Sequence, residues 1–377
     1  MKNDKLLTYL QEHMDELLET LGEFVSLESP SHGAKEESDR CGKFLEKKFS
    51  ELGFHIDVLP QKNCGDHIYG EIGEGRKSAL MVGHYDTVYP VGTIQTMPFK
   101  IEDEIAFGPG ILDMKGGIIM AYYAVKALLE LGAMPESRIG VFFNGDEESG
   151  SVDSKDLILE KAGQYQSVLV MEPGVNDQNS IKTGRYGRGT YKVIAHGKAA
   201  HSGSNTHLAI SPLIEIAKQL LYIDRWDKSI TGVTFAPTVI RGGIEGTCMI
   251  PEEANFTMDV RYKSDALIRD IHERIMNLEP LTPGIRLEVQ GEIDKPIMVA
   301  DPVLFEKLRE IAKDFGIDLN GITIGGGSDG NFTAAAGIPT LDGLGMTGEF
   351  LHNPKEYIHI DHIAKRTAAL AKLLSEL

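Results

Sequence analysis

The chain has 377 residues, 42% hydrophobic and 25% charged, an ordinary composition for a globular protein long enough for two domains. A formal net charge of −18 and the lack of any Lys/Arg run speak against nucleic acid as a partner, although a few arginines in a pocket can still receive a small anionic substrate. No stretch reads as a membrane span or a signal-peptide core, and three unevenly spaced cysteines (Cys41, Cys64, Cys248) give neither a disulfide framework nor a paired zinc spacing, so the expected compartment is the cytoplasm and the expected metal donors are His and carboxylates.

Taken in chain order, Leu6, Leu7, Leu10, Met14, Leu17, Leu18 and Leu21 share one face and predict a first helix. A loop rich in Ser and Pro (Ser26 to His32) leads to a helix over Glu36–Leu52, stopped by Gly53. Strands are expected over His55–Leu59 and Ile68–Ile72. Next comes the apolar run from Leu80, which ends at Gly83-His84-Tyr-Asp86 and reads as a buried parallel strand. A helix over Lys115–Leu131, a strand over Arg138–Asn144, a helix over Asp153–Lys161 and a strand over Ser167–Met171 follow. This alternation predicts an α/β catalytic domain, phosphorylase/hydrolase-like, with a largely parallel sheet and helices on both faces. The pattern changes near Ile181. Strands over Gly189–Gly197, Val233–Ile240, Ala254–Tyr262 and Ile285–Val289, with helices over Ile210–Ile223 and Ala266–Leu278, predict an inserted α+β domain. The expected division is 1–181 with 297–377 for the catalytic domain and 182–296 for the insert. Helices over Pro302–Phe315 and Asp361–Leu374 flank the glycine-rich Ile324–Gly330.

The chemistry gathers at strand ends. His84 and Asp86, two apart in extended chain, project to the same side, so the Asp86 carboxylate can reach the far ring nitrogen of His84 and fix its tautomer. Asp113 lies between glycine turns and a helix start, Glu147 and Glu148 end the Arg138–Asn144 strand, Glu172 follows Val168-Leu-Val-Met, and His352 sits in Phe350-Leu-His-Asn-Pro. Each alone is an ordinary cap, turn or solvated acid. Loops at the carboxyl ends of an open α/β sheet converge on one crevice, however, and two His with three carboxylates suit two zinc ions bridged by one carboxylate. Of the adjacent pair Glu147–Glu148, one carboxylate can bind metal while the other takes a proton from water.

The ordered set His84-Tyr-Asp, Gly108-Pro-Gly-Ile-Leu-Asp113-Met-Lys-Gly-Gly, Asp146-Glu-Glu-Ser-Gly, Met171-Glu-Pro, Ala200-His-Ser-Gly and Gly325-Gly-Gly-Ser-Asp resembles the dinuclear zinc peptidase/deacylase family, and most nearly its glutamate carboxypeptidase branch. The resemblance implies His84 and Glu172 on one ion and His352 and Glu148 on the other, or the two glutamates exchanged. It also implies Asp113 as the bridge, with a cis peptide bond to Met114, Glu147 as general base and Asp86 as the orienting partner of His84. It further implies two Zn2+ per subunit (Co2+ or Mn2+ as substitutes), an insert that serves as lid and dimerisation domain of ferredoxin-like type, a homodimer, and His201 as an oxyanion donor reaching a partner's site. Arg261 corresponds to the family's carboxylate-binding arginine, with backbone donors at Gly326 and Gly327.

Two positions depart from that branch: Cys248 stands where an Asn is usual, and Lys295 stands where the folate-cleaving enzyme has an Arg. A lysine is a point charge without a bidentate fork. The expected function is therefore hydrolysis of an amide bond next to a free carboxylate in an N-acyl amino acid or short peptide. The alternatives are an N-acyl-amino-acid deacylase (aminoacylase, acetylornithine deacetylase or desuccinylase type) and a catalytically inactive binding homologue. A nucleotide site at Gly325-Gly-Gly-Ser is disfavoured, because the run lacks the lysine and loop length of a P-loop.

Overall fold

The computed structural model describes residues 3–175 and 179–377. Two compact units emerge: one extends to Gly184 and resumes over Met298–Ile324 and Ser328–Leu377, while the other comprises Arg185–Ile297 with Gly325–Gly327. Among the described residues no helix is long and apolar enough to cross a membrane.

The larger unit is built on a six-stranded sheet of His55–Leu59 (β1), His67–Ile72 (β2), Lys77–His84 (β3), Arg138–Asn144 (β4), Ser167–Val170 (β5) and Thr340–Leu341 (β6), in the spatial order β1-β2-β4-β3-β5-β6. Pairings β3–β4, β3–β5 and β5–β6 are parallel, while β1–β2 and β2–β4 are antiparallel. The continuous apolar run of β3 has a direct cause: alternate residues face opposite sides of a sheet, and both sides here are covered. Ala79 and Met81 pack with Leu45, Phe49, Ile118 and Ile119, whereas Leu80 and Val82 pack with Ile158, Ala162 and Val168. Burying each of Leu80, Met81 and Val82 contributes about 1.5–3 kcal/mol, so a register slip in β3 would be costly, and the strand's end is fixed in space.

Helices Lys35–Glu51, Gly116–Glu130, Lys155–Ala162, Pro302–Lys313 and Ile360–Glu376 fall within a few residues of expectation. The first helix does not. It is split into Asn3–Glu12 and Met14–Val25 at His13, whose backbone leaves the helical region (φ −103°, ψ 15°) and whose ring bonds to the Tyr9 carbonyl at 2.8 Å. The apolar spacing continues across the break, so periodicity alone gave no sign of it.

The smaller unit has strands Gly187–His196, Val233–Gly242, Glu253–Tyr262 and Arg286–Lys295 with helices Pro212–Asp227 and Asp265–Met276, in chain order βαββαβ. Counting its strands along the chain, the sheet order is 2-3-1-4 and every pairing is antiparallel, the ferredoxin-like arrangement. Tyr191, Val193 and Ala195 lie on one side of their strand and join Phe256, Met258 and Val260 against Ile216, Ile223, Ile271 and Ile275, so that face of the sheet forms the core.

Candidate metal centre

Strand register decides which side chains meet. Val82 pairs with Val170, and His84 and Glu172 lie two residues beyond that pair on their respective strands. His84 itself pairs with Asn144, three residues before Glu147. Bonds from Met171 N–H to the Val82 carbonyl and from Tyr85 N–H to the Asn144 carbonyl carry the ladder to the strand ends. The Asp86 carboxylate is fully buried and accepts the backbone N–H groups of Glu147 and Glu148, each at 3.1 Å, one on either oxygen. It therefore orients the acidic pair. Its relation to His84 differs in part from expectation: His84 Nδ1 donates to the Asp86 backbone carbonyl at 3.0 Å, with the carboxylate farther off at 3.4 Å. The tautomer is set by the peptide group, and Nε2 keeps its lone pair for the site.

Asp113 arrives on the irregular turn Ile111–Lys115, entered through Gly110 in the left-handed region (φ 68°); its peptide bond to Met114 is cis. The helix that follows starts hard against β5. A Cβ on Gly117 would lie 1.9 Å from the Met171 carbonyl oxygen, so only glycine permits the approach. His352 occupies a loop in which both it (φ 58°) and Phe350 (φ 63°) hold left-handed backbone, uncommon for residues with a Cβ.

Together these elements give Asp113 a different pair of neighbours on each oxygen. Oδ1 lies 3.3 Å from His84 Nε2, which is 3.5 Å from Glu172 Oε1. Oδ2 lies 3.1 Å from His352 Nε2, which is 3.1 Å from Glu148 Oε1. Although that last separation is short, buried Glu148 Oε1 has no hydrogen-bond partner among the described residues. Donor atoms of His84, Glu147 and Glu172, and of His84, Asp113 and Glu148, lie within 4.8 Å of one another. The field is that of excess acid. Burial opposes the His84 imidazolium, but Asp113, Asp86 and Glu172 outweigh it and hold the ring's pKa well above the histidine range. The hydrogen bond to Asp113 and the Glu148 carboxylate beside the ring raise His352 to about 10. Burial, with the Asp113 charge beside it, pushes Glu148 up to about 7 despite His352. An imidazole and carboxylates converging on each side of one shared carboxylate fit two divalent cations.

A second convergence, Cys64, His67 and Asp146, does not meet the same requirement. His67 Nδ1 accepts the Gly145 N–H at 3.3 Å, which places the neutral ring's proton on Nε2, the atom facing Asp146 Oδ1 at 4.0 Å. A donor N–H in that position cannot ligate.

The remaining expected residues lie in the smaller unit. His201 is exposed, and its Nδ1 accepts the N–H groups of Gly203 (3.1 Å) and Ser204 (3.2 Å), leaving Nε2–H as a donor. Arg261 engages both Asp259 oxygens, at 2.6 and 2.9 Å, and the Gly325 carbonyl at 3.0 Å. The Gly326 and Gly327 carbonyls accept from Arg185. Lys295 is buried opposite Arg188, and Cys248 is exposed beside the His201 strand, its carbonyl accepting the Ser202 N–H. Two residues of the larger unit escaped sequence reasoning. Buried Lys182 places Nζ 3.3 Å from Glu172 Oε2, and buried Glu356 bonds to the turn that carries Asp113. Lys182 lies on a strand with no distinguishing pattern, whereas the His352-to-Glu356 spacing was the one available hint.

A model of peptidase family M20/M25/M40 matches residues 80–376. Carboxypeptidase G2 of Pseudomonas sp. (strain RS-16) is 32% identical over 377 residues, spanning 96% of this chain and 89% of that protein. Succinyl-diaminopimelate desuccinylase of Legionella pneumophila (strain Corby) is 26% identical over 84% of this chain and 88% of its own length. The crystal structure of a dinuclear metal-binding peptidase of Bacillus subtilis aligns with a TM-score of 0.69 at 15% identity, over 97% of this chain and 98% of that one. The family match takes in every residue from His84 to His352 that converges on Asp113, and on that match and the identity to carboxypeptidase G2 the chain belongs to peptidase family M20/M25/M40.

Proposed function

We propose that this hydrolase of peptide or amide bonds is a dizinc exopeptidase of glutamate-carboxypeptidase type, cleaving the bond next to a free carboxylate in a short peptide or N-acyl amino acid. The observation that carries the reading is the partition of the Asp113 oxygens between His84 with Glu172 and His352 with Glu148. In it, Asp113 would be the ligand shared by the two ions, and those four residues would hold one ion on each side of it. Bound zinc supplies Lewis acidity, polarising the amide carbonyl and acidifying water. Glu147, held by Asp86, takes the proton of the attacking water on its carboxylate and passes it to the leaving nitrogen. His201 of one chain donates from Nε2–H to the developing oxyanion in the site of its dimer partner. Arg261 grips the substrate carboxylate together with Lys295 and the backbone of Gly326 and Gly327.

The larger unit is the catalytic domain in this reading, and the smaller one is a lid through which two chains form a homodimer. Support for the dimer comes from exposed apolar side chains on the smaller unit: Ile240 on the strand Val233–Gly242, Ile244 just after it, and Ile214 and Leu221 on the helix Pro212–Asp227. The second reading, an N-acyl-amino-acid deacylase, is favoured by Cys248 and Lys295, which depart from the glutamate carboxypeptidase pattern.

A panel of N-acyl and dipeptide substrates, varied separately at the C-terminal residue and the acyl group, separates the two. Dependence on C-terminal Glu or Asp supports the carboxypeptidase, and dependence on one acyl group replaces it with the deacylase. Glu147→Gln is expected to keep both ions and lose about 10²- to 10⁴-fold in turnover; turnover near wild type would refute the assigned base.

A further inference from the structure

We infer that Glu356 is a positioning residue that locks the two loops of the metal centre, the Asp113 turn and the His352 loop, into one rigid piece. The inference rests on the two-ion reading of Asp113, but its structural basis is independent of any ion. Glu356 is 0% exposed and lies four residues after His352. Oε1 accepts the N–H groups of Leu112 at 2.8 Å and of Asp113 at 3.1 Å, and Oε2 accepts the N–H of Gly110 at 3.3 Å. Tyr89 Oη is 2.6 Å from Oε2 and 2.9 Å from the Asn353 carbonyl, so its single hydrogen serves one of these. On its own side the loop is closed by Glu356 N–H to the Asn353 carbonyl at 2.9 Å and Asn353 N–H to the Phe350 carbonyl at 3.1 Å.

The consequence follows from the donor count. The three backbone N–H groups facing the two oxygens are donors, so the side chain is held as an acceptor on both oxygens and a glutamine cannot reproduce all of these bonds. The three N–H groups belong to a turn that no regular ladder holds, and burying them unpaired would be costly. One short chain segment, from His352 to Glu356, therefore fixes an imidazole at one end and the bridging carboxylate's backbone at the other. A shift of Asp113 alters both ions at once, whereas a shift at either terminal carboxylate alters one.

In Glu356→Gln, one oxygen becomes an NH₂ that must face either Leu112 and Asp113 N–H or Gly110 N–H and Tyr89. The variant is expected to bind both ions about 10- to 100-fold more weakly in competition with a chelator of known affinity, the range seen when partners of metal ligands are removed. At saturating zinc, kcat should fall and KM should stay near wild type. In the metal-free protein, hydrogen exchange of the Gly110, Leu112 and Asp113 amides should accelerate relative to amides of β3. Tyr89→Phe, which keeps the three backbone bonds, should move the same readouts only several-fold and guards against misfolding of the glutamine variant.

Unchanged ion affinity and kcat in Glu356→Gln, or unchanged exchange at residues 110–113, would overturn the inference even if the melting temperature fell. Failure of the wild-type protein to bind two ions would instead refute the dinuclear reading, and the exchange experiment would still decide whether the clamp exists.

Discussion

Strands β3 and β4 carry a polar cluster at each end, and the two clusters differ in how their charge is met. At the amino ends, Lys77 and Arg138 face Glu71. Arg138 Nη1 is 3.1 Å and Tyr165 Oη 2.7 Å from its carboxylate, which Lys77 and Tyr69 also contact. Each charge there has an opposite neighbour. At the carboxyl ends, Asp86, Asp113, Glu147, Glu148, Glu172 and Glu356 gather around His84, His352 and Lys182, and acid exceeds base even with both rings protonated. An uncompensated buried charge costs several kcal/mol. The first cluster pairs its charges one to one, and the second gathers an excess of acid that suits cations.

Cation removal should produce the largest break between the two ends. Chelation is expected to abolish turnover and lower the unfolding midpoint, since ions present at 1,000 times their Kd stabilise the native state by about 4 kcal/mol per site. Calorimetry with and without chelator measures this. An identical midpoint would mean that the excess acid is tolerated without ions, and the contrast would disappear.

Single ligand substitutions sharpen the contrast within the site. His84 is 1% exposed at the end of a buried strand, whereas the His352 side chain is 49% exposed on a loop. His84→Ala leaves Asp113 and Glu172 without their imidazole in a place water reaches poorly, and the expected loss is about 3–5 kcal/mol. His352→Ala opens onto solvent, so about 1 kcal/mol and retention of one ion are expected. Denaturant midpoints and ion counts by mass spectrometry test the order, and equal losses would show that burial does not separate the two sides.

The legible part of the site is the part written by buried strands. His84, Glu147, Glu148 and Glu172 could be found because a strand covered on both faces appears as an apolar run whose end is visible, and parallel register did the rest. Asp113 and His352 sit on irregular backbone and were picked out only as residues between glycine turns and in a loop; their roles, like the cis bond at Asp113, came from the ordered motifs. Glu356 and Lys182 were missed because a buried acid or lysine whose partners are backbone amides or a distant side chain leaves no periodic trace. The Asp86 carboxylate was assigned to the His84 ring, but it serves mainly the Glu147 and Glu148 amides, since sequence spacing shows which residues share a side and not which hydrogen bond wins. Cysteine spacing gave no zinc pair, and it could not show that Cys64 comes beside His67 and Asp146, whose geometry only the structure supplies.

The smallest expected effect is at the amino end, where the contrast can be tested by pH. Burial acts to raise the Glu71 carboxyl, but hydrogen bonds from Lys77, Tyr69 and Tyr165 outweigh it and hold the pKa at about 2, below the ordinary 4.5. A carboxyl held low when folded stabilises the protein fully above its unfolded pKa, and that contribution is lost as pH falls from there toward the folded value. Wild type should therefore lose stability relative to Glu71→Gln as pH drops below about 4.5, with little change in their difference between about pH 6 and 8. At neutral pH the substitution should cost under about 1 kcal/mol, because the cluster is partly solvated, and should leave ion content and kcat untouched. Denaturant midpoints of both proteins across that range decide the matter. A Glu71→Gln variant that lost ions or turnover would show that the two ends of β3 and β4 are coupled, and the division between a charge-balanced end for stability and an acid-rich end for chemistry would have to be given up.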